Sequence, residues 1–366
     1  MVKLIVDARM LYSSGIGRYI REILKKITPY FDVLIIANSK GIEFAKENNI
    51  QYRLCNAPIY SFKEQFELAK FSDKKAIFWS PHYNIPIFPA TWRYRIVTIH
   101  DVNHLALPEQ FSFVKRLYAK FMFNSAVNKS DTIITVSNFS KNEIIKYTNY
   151  IPEKINVIYN GVEQKPILGD INLIKNKYAL PNKYILYVGN VKPHKNLKLL
   201  LESYLLLNEE IKREYKIVIV GKYDGFITGD KELFSYINPV SELKNNIFFT
   251  GFVADEDMNT IYANASLFVF PSLYEGFGFP PLEAMACGCS TAVSNVASMP
   301  EVCGDASLYF NPLDVNDIAD KMQMIIDNEN LRQNLIVNGC ERVKKFSWEN
   351  AAKQHIELIN ECVEKL

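Results

Sequence analysis

Leu267-Phe-Val-Phe-Pro-Ser-Leu-Tyr-Glu-Gly-Phe-Gly-Phe-Pro-Pro-Leu-Glu-Ala-Met-Ala286 sets out a strand, a turn and a helix start in one pass. Leu267 to Phe270 is apolar at every position, as befits a strand buried on both faces of a parallel sheet. Gly276 and Gly278 then free the backbone, and Pro280-Pro281 pre-sets the first turn of a helix running through Leu282-Glu-Ala-Met-Ala286. Strand, glycine turn and helix together are the repeating unit of doubly wound α/β folds.

The same rhythm extends in both directions. Upstream in the second half it appears as Tyr184-Ile-Leu-Tyr-Val188, Lys216-Ile-Val-Ile-Val220 and Ile247-Phe-Phe249, and downstream as Ser290-Thr-Ala-Val293. An earlier series begins at Lys3-Leu-Ile-Val-Asp7, followed by the turn Ser13-Ser-Gly-Ile-Gly17 and a helical segment from Arg18 to Ile27. It continues through Asp32–Ile36, Ile77–Trp79, Ile96–Ile99, Thr132–Val136 and Asn156–Ile158. Between the series, Gly161 to Pro181 is polar and punctuated by Pro166, Gly169 and Pro181, which predicts a linker. The expectation is an α/β chain of two doubly wound, Rossmann-like domains, residues 1–165 and 166–345, facing across a cleft. Ligands of such sheets sit beyond the carboxyl ends of the strands.

Composition agrees. The 366 residues are 48% hydrophobic and 22% charged, enough for two cores and unlike disordered, collagen-like or coiled-coil chains. Lys3 and Asp7 interrupt the one apolar run near the start, which argues against a signal peptide, and nothing reaches the ~18 apolar residues of a spanning helix. A soluble, cytoplasmic protein is expected. The six cysteines lie far apart except Cys287-Gly288-Cys289, whose spacing suits no zinc site, so they read as reduced packing residues. The net charge of +2 hides an asymmetry: residues 1–165 carry 16 Lys and 7 Arg against 5 Asp and 9 Glu, a surplus of +9. A basic half suits nucleic acid, an anionic membrane or a phosphorylated substrate, and no nucleic-acid-binding module is present.

Several residues carry chemistry. Glu275 and Glu283 bracket the turn Gly276-Phe277-Gly278-Phe279 at a helix N-terminus, where a diphosphate between two polyols would meet amides and two hydroxyl-accepting carboxylates. Lys195, after the strand ending at Val188, is placed to reach a phosphate. His100-Asp101 follows Ile96–Ile99 at another strand end. Gly15-Ile-Gly17 has Ile20 where a dinucleotide fingerprint needs its third glycine; it fits a tight turn, or a loop that lets a phosphate or sugar approach. Asp255-Glu-Asp257 spells D-x-D but opens a helical segment, and reads as helix-start acids rather than a metal site. Phe111 to Phe123 interleaves aromatic and basic residues, with Phe113, Leu117 and Phe121 on one stripe. This describes either a core helix or one lying on an anionic membrane.

Taken together, these stretches resemble the retaining glycosyltransferase family 4, of GT-B architecture, and within it the mannosyl- and rhamnosyltransferases of O-antigen and exopolysaccharide assembly. The likeness lies in Ser14-Gly-Ile-Gly-Arg-Tyr19, Thr98-Ile-His-Asp101, Val136-Ser-Asn-Phe-Ser140, Val157-Ile-Tyr-Asn-Gly-Val162, Pro193-His-Lys-Asn196 and, most specifically, Tyr274 to Gly288 with its Glu-x7-Glu spacing. The resemblance implies that Glu283 binds the donor ribose and Glu275 faces the transferred sugar. Amides of Gly276 to Phe279 would meet sugar and phosphate, Lys195 the diphosphate, Gly15 and Gly17 would leave room, and His100 would sit by the reacting sugar. The base would rest near Gly251-Phe-Val253. It further implies a nucleotide-sugar co-substrate, GDP-mannose by preference, with no cofactor and no metal. The acceptor would be a glycan or polyprenyl-diphosphate-linked glycan, placing the enzyme in the cytoplasm or at the inner membrane face. Residues 346–366 resemble the family's last helix, which crosses back onto the first domain. Asn190 stands where many relatives have an arginine, so the second phosphate charge is expected from Lys192 or Arg18.

Other functions fit less of the pattern. A sugar-nucleotide epimerase of the same architecture would have less use for Glu275 with Glu283. A non-catalytic subunit has no need of Lys195, Glu275, Glu283 and His100 together.

Overall fold

A computed structural model describes residues 2–88, 90–148, 150, 152–163, 170–221 and 241–364. The apolar runs become strands because each is covered on both faces: Leu4, Ile5 and Val6, or Tyr184, Ile185 and Leu186, are fully or almost fully excluded from solvent. The first sheet holds β1 (Lys3–Asp7), β2 (Asp32–Ala37), β3 (Gln51–Leu54), β4 (Ile77–Ser80), β5 (Tyr94–Ile99), β6 (Thr132–Thr135) and β7 (Ile155–Val157). The second holds β8 (Lys183–Val188), β9 (Tyr215–Val220), β10 (Ile247–Phe249), β11 (Leu267–Phe270), β12 (Thr291–Ser294) and β13 (Leu308–Phe310).

Both sheets are parallel and share one topology. Their orders are β3-β2-β1-β4-β5-β6-β7 and β10-β9-β8-β11-β12-β13. In each, the winding direction reverses between the first and fourth strands, with Val6 opposite Trp79 and Phe268 opposite Leu186. Loops leaving those two strands diverge and make the crevice in which doubly wound sheets hold ligands.

The chain divides into two compact units, Met1–Gly161 with Phe346–Leu366, and Val162–Lys345. Helix Trp348–Glu364 belongs to the first unit and packs on helix Ser14–Ile27. A directional hydrogen-bond chain fixes it there. His355 Nδ1–H donates to the Ala351 carbonyl at 2.7 Å, so Nε2 accepts from the Tyr19 hydroxyl at 2.6 Å. Tyr19 accepts from Thr98 at 3.1 Å, and Thr98 accepts from Trp79 Nε1–H at 3.0 Å.

One expectation changes and one open alternative narrows. The supposed linker contains a helix, Ile171–Tyr178, inside the second unit. Asp170 caps it by accepting from Asn172 N–H at 2.8 Å, Ile174 is buried, and Ala179 ends it in the left-handed region at φ 51°. Pro166 and Gly169 lie outside the described residues. The stripe Phe113, Leu117 and Phe121 is not core: helix Phe113–Lys129 buries Ala119, Met122, Phe123, Ala126 and Val127 and leaves all three outside. Among the described residues no helix is long and apolar enough to cross a membrane.

Candidate active site

The loops after β8 and β11, the two strands flanking the reversal in the second sheet, bring Lys195 and Glu275 together. Lys195 Nζ donates to Glu275 Oε1, and the two side chains are 17% and 15% exposed. The ammonium also lies 5.4 Å from the centre of the Phe270 ring. The loops are tied by the Leu273 N–H donating to the His194 carbonyl at 2.8 Å. Asn196, in the left-handed region at φ 57°, turns the first loop into its helix, and its Nδ2 donates to the Pro312 carbonyl at 2.6 Å.

Glycine is required at 278. Its φ is +107°, and a Cβ there would collide with Met299 Cε. Gly278 caps helix Phe279–Ala286. Ser298, fully buried, donates to the carbonyls of Glu275 and Phe277 at 2.9 and 2.7 Å and fixes the turn. Pro280 and Pro281 carry no N–H and the Leu282 N–H belongs to the first bond of the helix ladder, so the amides at this helix end come from the turn Gly276 to Phe279. Glu283 is the fifth residue of the helix rather than part of its first turn, and its Oε2 accepts from the Tyr262 hydroxyl at 2.9 Å. Val253 is buried where the chain enters helix Asp255–Ala263, which carries Tyr262.

Other expected residues have surroundings of their own. Asp257 accepts from Lys177 Nζ and the Tyr178 hydroxyl, both at 2.7 Å, so this D-x-D acid is a tie within the second unit. Gly15 and Gly17 lie in the first turn of helix Ser14–Ile27, and a Cβ on Gly17 would strike the carbonyls of Leu11 and Met10. Gly17 is therefore demanded by backbone packing whatever else passes near. His100, in the first unit, shares its Nε2 proton with the Pro81 carbonyl at 2.9 Å, and the Tyr19 ring meets it edge-on at 4.9 Å. Burial pushes the imidazole down to about 4, so it is neutral near pH 7 and Nδ1 is an acceptor. Asn190 and Lys192 are exposed on the Lys195 loop, whereas Arg18 belongs to the first unit.

Ser298, Tyr262 and Met299 were not anticipated. Ser298 follows β12, so its place beyond a strand end was a usable signal; Tyr262 and Met299 act only through tertiary contact.

Two family models match: Glycosyltransferase Family 4 over residues 13–165, and Glycosyl transferases group 1 over residues 170–342. An O-antigen chain mannosyltransferase B from Escherichia coli is 33% identical, across 94% of this chain and 95% of that protein. A sucrose-phosphate synthase from Thermosynechococcus elongatus superposes with a TM-score of 0.79 at 18% identity, covering 100% of this chain and 99% of that one. Anabaena Alr3699/HepE, solved in complex with UDP-glucose, gives 0.78 at 19% identity with both chains covered completely. Two parallel sheets of matching strand order, GT-B structural likeness and sequence identity along nearly all of the chain agree: the protein belongs to glycosyltransferase family 4 and is a glycosyltransferase.

Proposed function

We propose that the chain transfers mannose from GDP-mannose to a glycan, free or carried on a polyprenyl diphosphate, during assembly of a bacterial O-antigen. The reaction retains anomeric configuration and uses no metal. The observation that carries this reading is the meeting of Lys195 and Glu275 at the reversal point of the second sheet, beside the glycine turn that opens helix Phe279–Ala286. The identity with the Escherichia coli mannosyltransferase supports the sugar.

Roles follow from charge. Breaking the bond between the sugar C1 and the diphosphate oxygen leaves negative charge on the phosphate and oxocarbenium character on the sugar. Lys195 and the helix end stabilise the first, in place of a divalent ion. Lys192, on the same loop, supplies the second cation. Glu275, released from Lys195 by the phosphate, faces the sugar, and Glu283 takes the ribose hydroxyls while Tyr262 orients it. His100, neutral with Nδ1 as acceptor, takes a hydrogen bond from a sugar hydroxyl. The acceptor oxygen bonds to C1 from the face the phosphate leaves, and its proton passes to the departing phosphate oxygen. A lipid-linked acceptor places the enzyme at the inner face of the cell membrane as a peripheral protein.

Thermal protection by GDP-mannose, compared with UDP- and dTDP-sugars, tests the donor, because a ligand that binds only the folded state raises its stability. NMR of the product is expected to show the donor's anomeric configuration, with turnover unchanged by EDTA. Undiminished turnover after Glu275→Ala with Glu283→Ala would overturn the site, and a trapped Glu275–sugar adduct would overturn the same-face mechanism.

A further inference from the structure

We propose that one face of the first unit, formed by helix Phe62–Ala69, the segment Tyr83–Phe88 and helix Phe113–Lys129, docks on an anionic lipid bilayer; this rests on the reading of a lipid-linked acceptor and names the surface that would reach it. Phenylalanine is concentrated here against expectation. Phe62 is 87% exposed and Phe113 73%, and Phe66, Phe88 and Phe121 are exposed too, with Val114 and Leu117 beside them. Among the described residues, Phe252 is the one exposed phenylalanine elsewhere. Patches of this kind mark interaction sites.

The three elements share one face. Phe66 stacks on Phe88 with ring centres 4.3 Å apart. Gln65 Oε1 accepts from the Ile87 N–H at 2.7 Å, and Lys129 Nζ donates to the Ile87 carbonyl at 2.7 Å. The Tyr118 hydroxyl donates to Asn84 Oδ1 at 3.1 Å, and its ring lies 6.4 Å from that of Tyr60, just before the shorter helix.

Charge selects the occupant. Lys63, Lys115, Arg116, Lys120 and Lys129 are exposed, and helix Phe113–Lys129 contains no acid. On the shorter helix Glu64 is buried against Arg9, and Glu67 is paired with Lys70. Aromatic and aliphatic side chains interleaved with unopposed cations are the pattern of an element lying in the interface of an anionic membrane. The face also leads toward the chemistry: Tyr83 is 6.2 Å from His104, which stacks on Phe111 at 4.3 Å, and His104 lies one short turn past His100 and Asp101.

Co-sedimentation of the full chain with vesicles tests this without any sugar transfer. Vesicles of equal parts phosphatidylcholine and phosphatidylglycerol are expected to bind the protein, salt to weaken binding, and phosphatidylcholine alone to bind little. Phe113→Ser with Leu117→Ser, and separately Lys115→Glu with Lys120→Glu, are each expected to lower partitioning by roughly tenfold or more, with unchanged melting because these side chains are outside the core. Equal binding to both vesicles, no binding, or variants that bind as the parent does would overturn the proposal. Self-association in light scattering that the Phe113/Leu117 variant abolishes would assign the face to a second copy instead. Loss of GDP-mannose protection leaves this inference standing, and loss of vesicle binding leaves the transferase reading standing.

Discussion

Lys195 and Glu275 are partners of each other, although the reaction asks them to serve different parts of a donor. An incoming diphosphate competes for the ammonium and frees the carboxylate toward the sugar, so binding and arming the site are one event. Because both side chains keep some solvent contact, at 17% and 15%, removing one partner costs less than it would in a fully buried pair. Lys195→Met strands a half-buried carboxylate and is expected to cost about 1–2 kcal/mol in denaturant unfolding. Glu275→Gln keeps an acceptor for Lys195 and is expected to cost under ~1 kcal/mol. The double variant should recover much of the Lys195→Met loss while all three lose roughly 100-fold or more in kcat/KM. A double variant that recovers turnover along with stability would show that the pair is structural only.

At the level of elements, the interior of each sheet was legible and so was one edge of each, β7 and β10, while the opposite edges were not. Strands buried on both faces read as unbroken apolar runs, which is why β1, β8 and β11 stand out in the sequence. β3 (Gln51–Leu54) is exposed at every position and β13 (Leu308–Phe310) is a short outer strand, so neither imposes a pattern. The stripe on helix Phe113–Lys129 was left open for a different reason: periodicity finds an apolar face but does not say what covers it. In the site, Lys195, Glu275 and Gly278 were readable because strand ends and a glycine turn announce them, whereas Ser298 and Met299 reach the turn from a separate loop. Gly278 tests how far that turn controls the site. Gly278→Ala must hold φ +107° and displace Met299, and is expected to cost ~1–2 kcal/mol and weaken protection by the donor. Met299→Ala added to it relieves the collision alone, so melting should recover in part and donor protection less. Full recovery of both would mean that the backbone angle is immaterial.

At the scale of the whole molecule, the chain leaves its first unit after Gly161 and returns at Phe346, and the two passages touch: a Cβ on Gly161 would strike the Trp348 backbone. The returning helix sets His355, with no solvent exposure, against Tyr19 in an arrangement that only a neutral ring satisfies. Burial pushes His355 down to about 4, with the neighbouring His100, itself near 4, adding repulsion. A histidine whose folded value is depressed contributes stability that is complete above its unfolded value of 6.5 and is lost as pH falls toward 4, where the unfolded chain binds the proton and the folded one does not. Asp7, held far below the carboxylate range by Arg9 against the cost of burial, contributes to acid lability only below 3.8; Glu64, raised by burial, acts in the opposite direction to the histidines. Comparing parent with His355→Gln, which keeps an acceptor for Tyr19, isolates the histidine. The parent is expected to lose about 3 kcal/mol more than the variant between pH 6.5 and 4. The loss should fall on the first unit, whose acid-sensitive groups these are, so amide protection factors, which take out the intrinsic slowing of exchange in acid, should fall in helices Ser14–Ile27 and Trp348–Glu364 and hold in helix Phe279–Ala286. Parallel pH profiles for parent and variant would show that His355 titrates alike in the folded and unfolded chain, and that the last helix is held by packing alone.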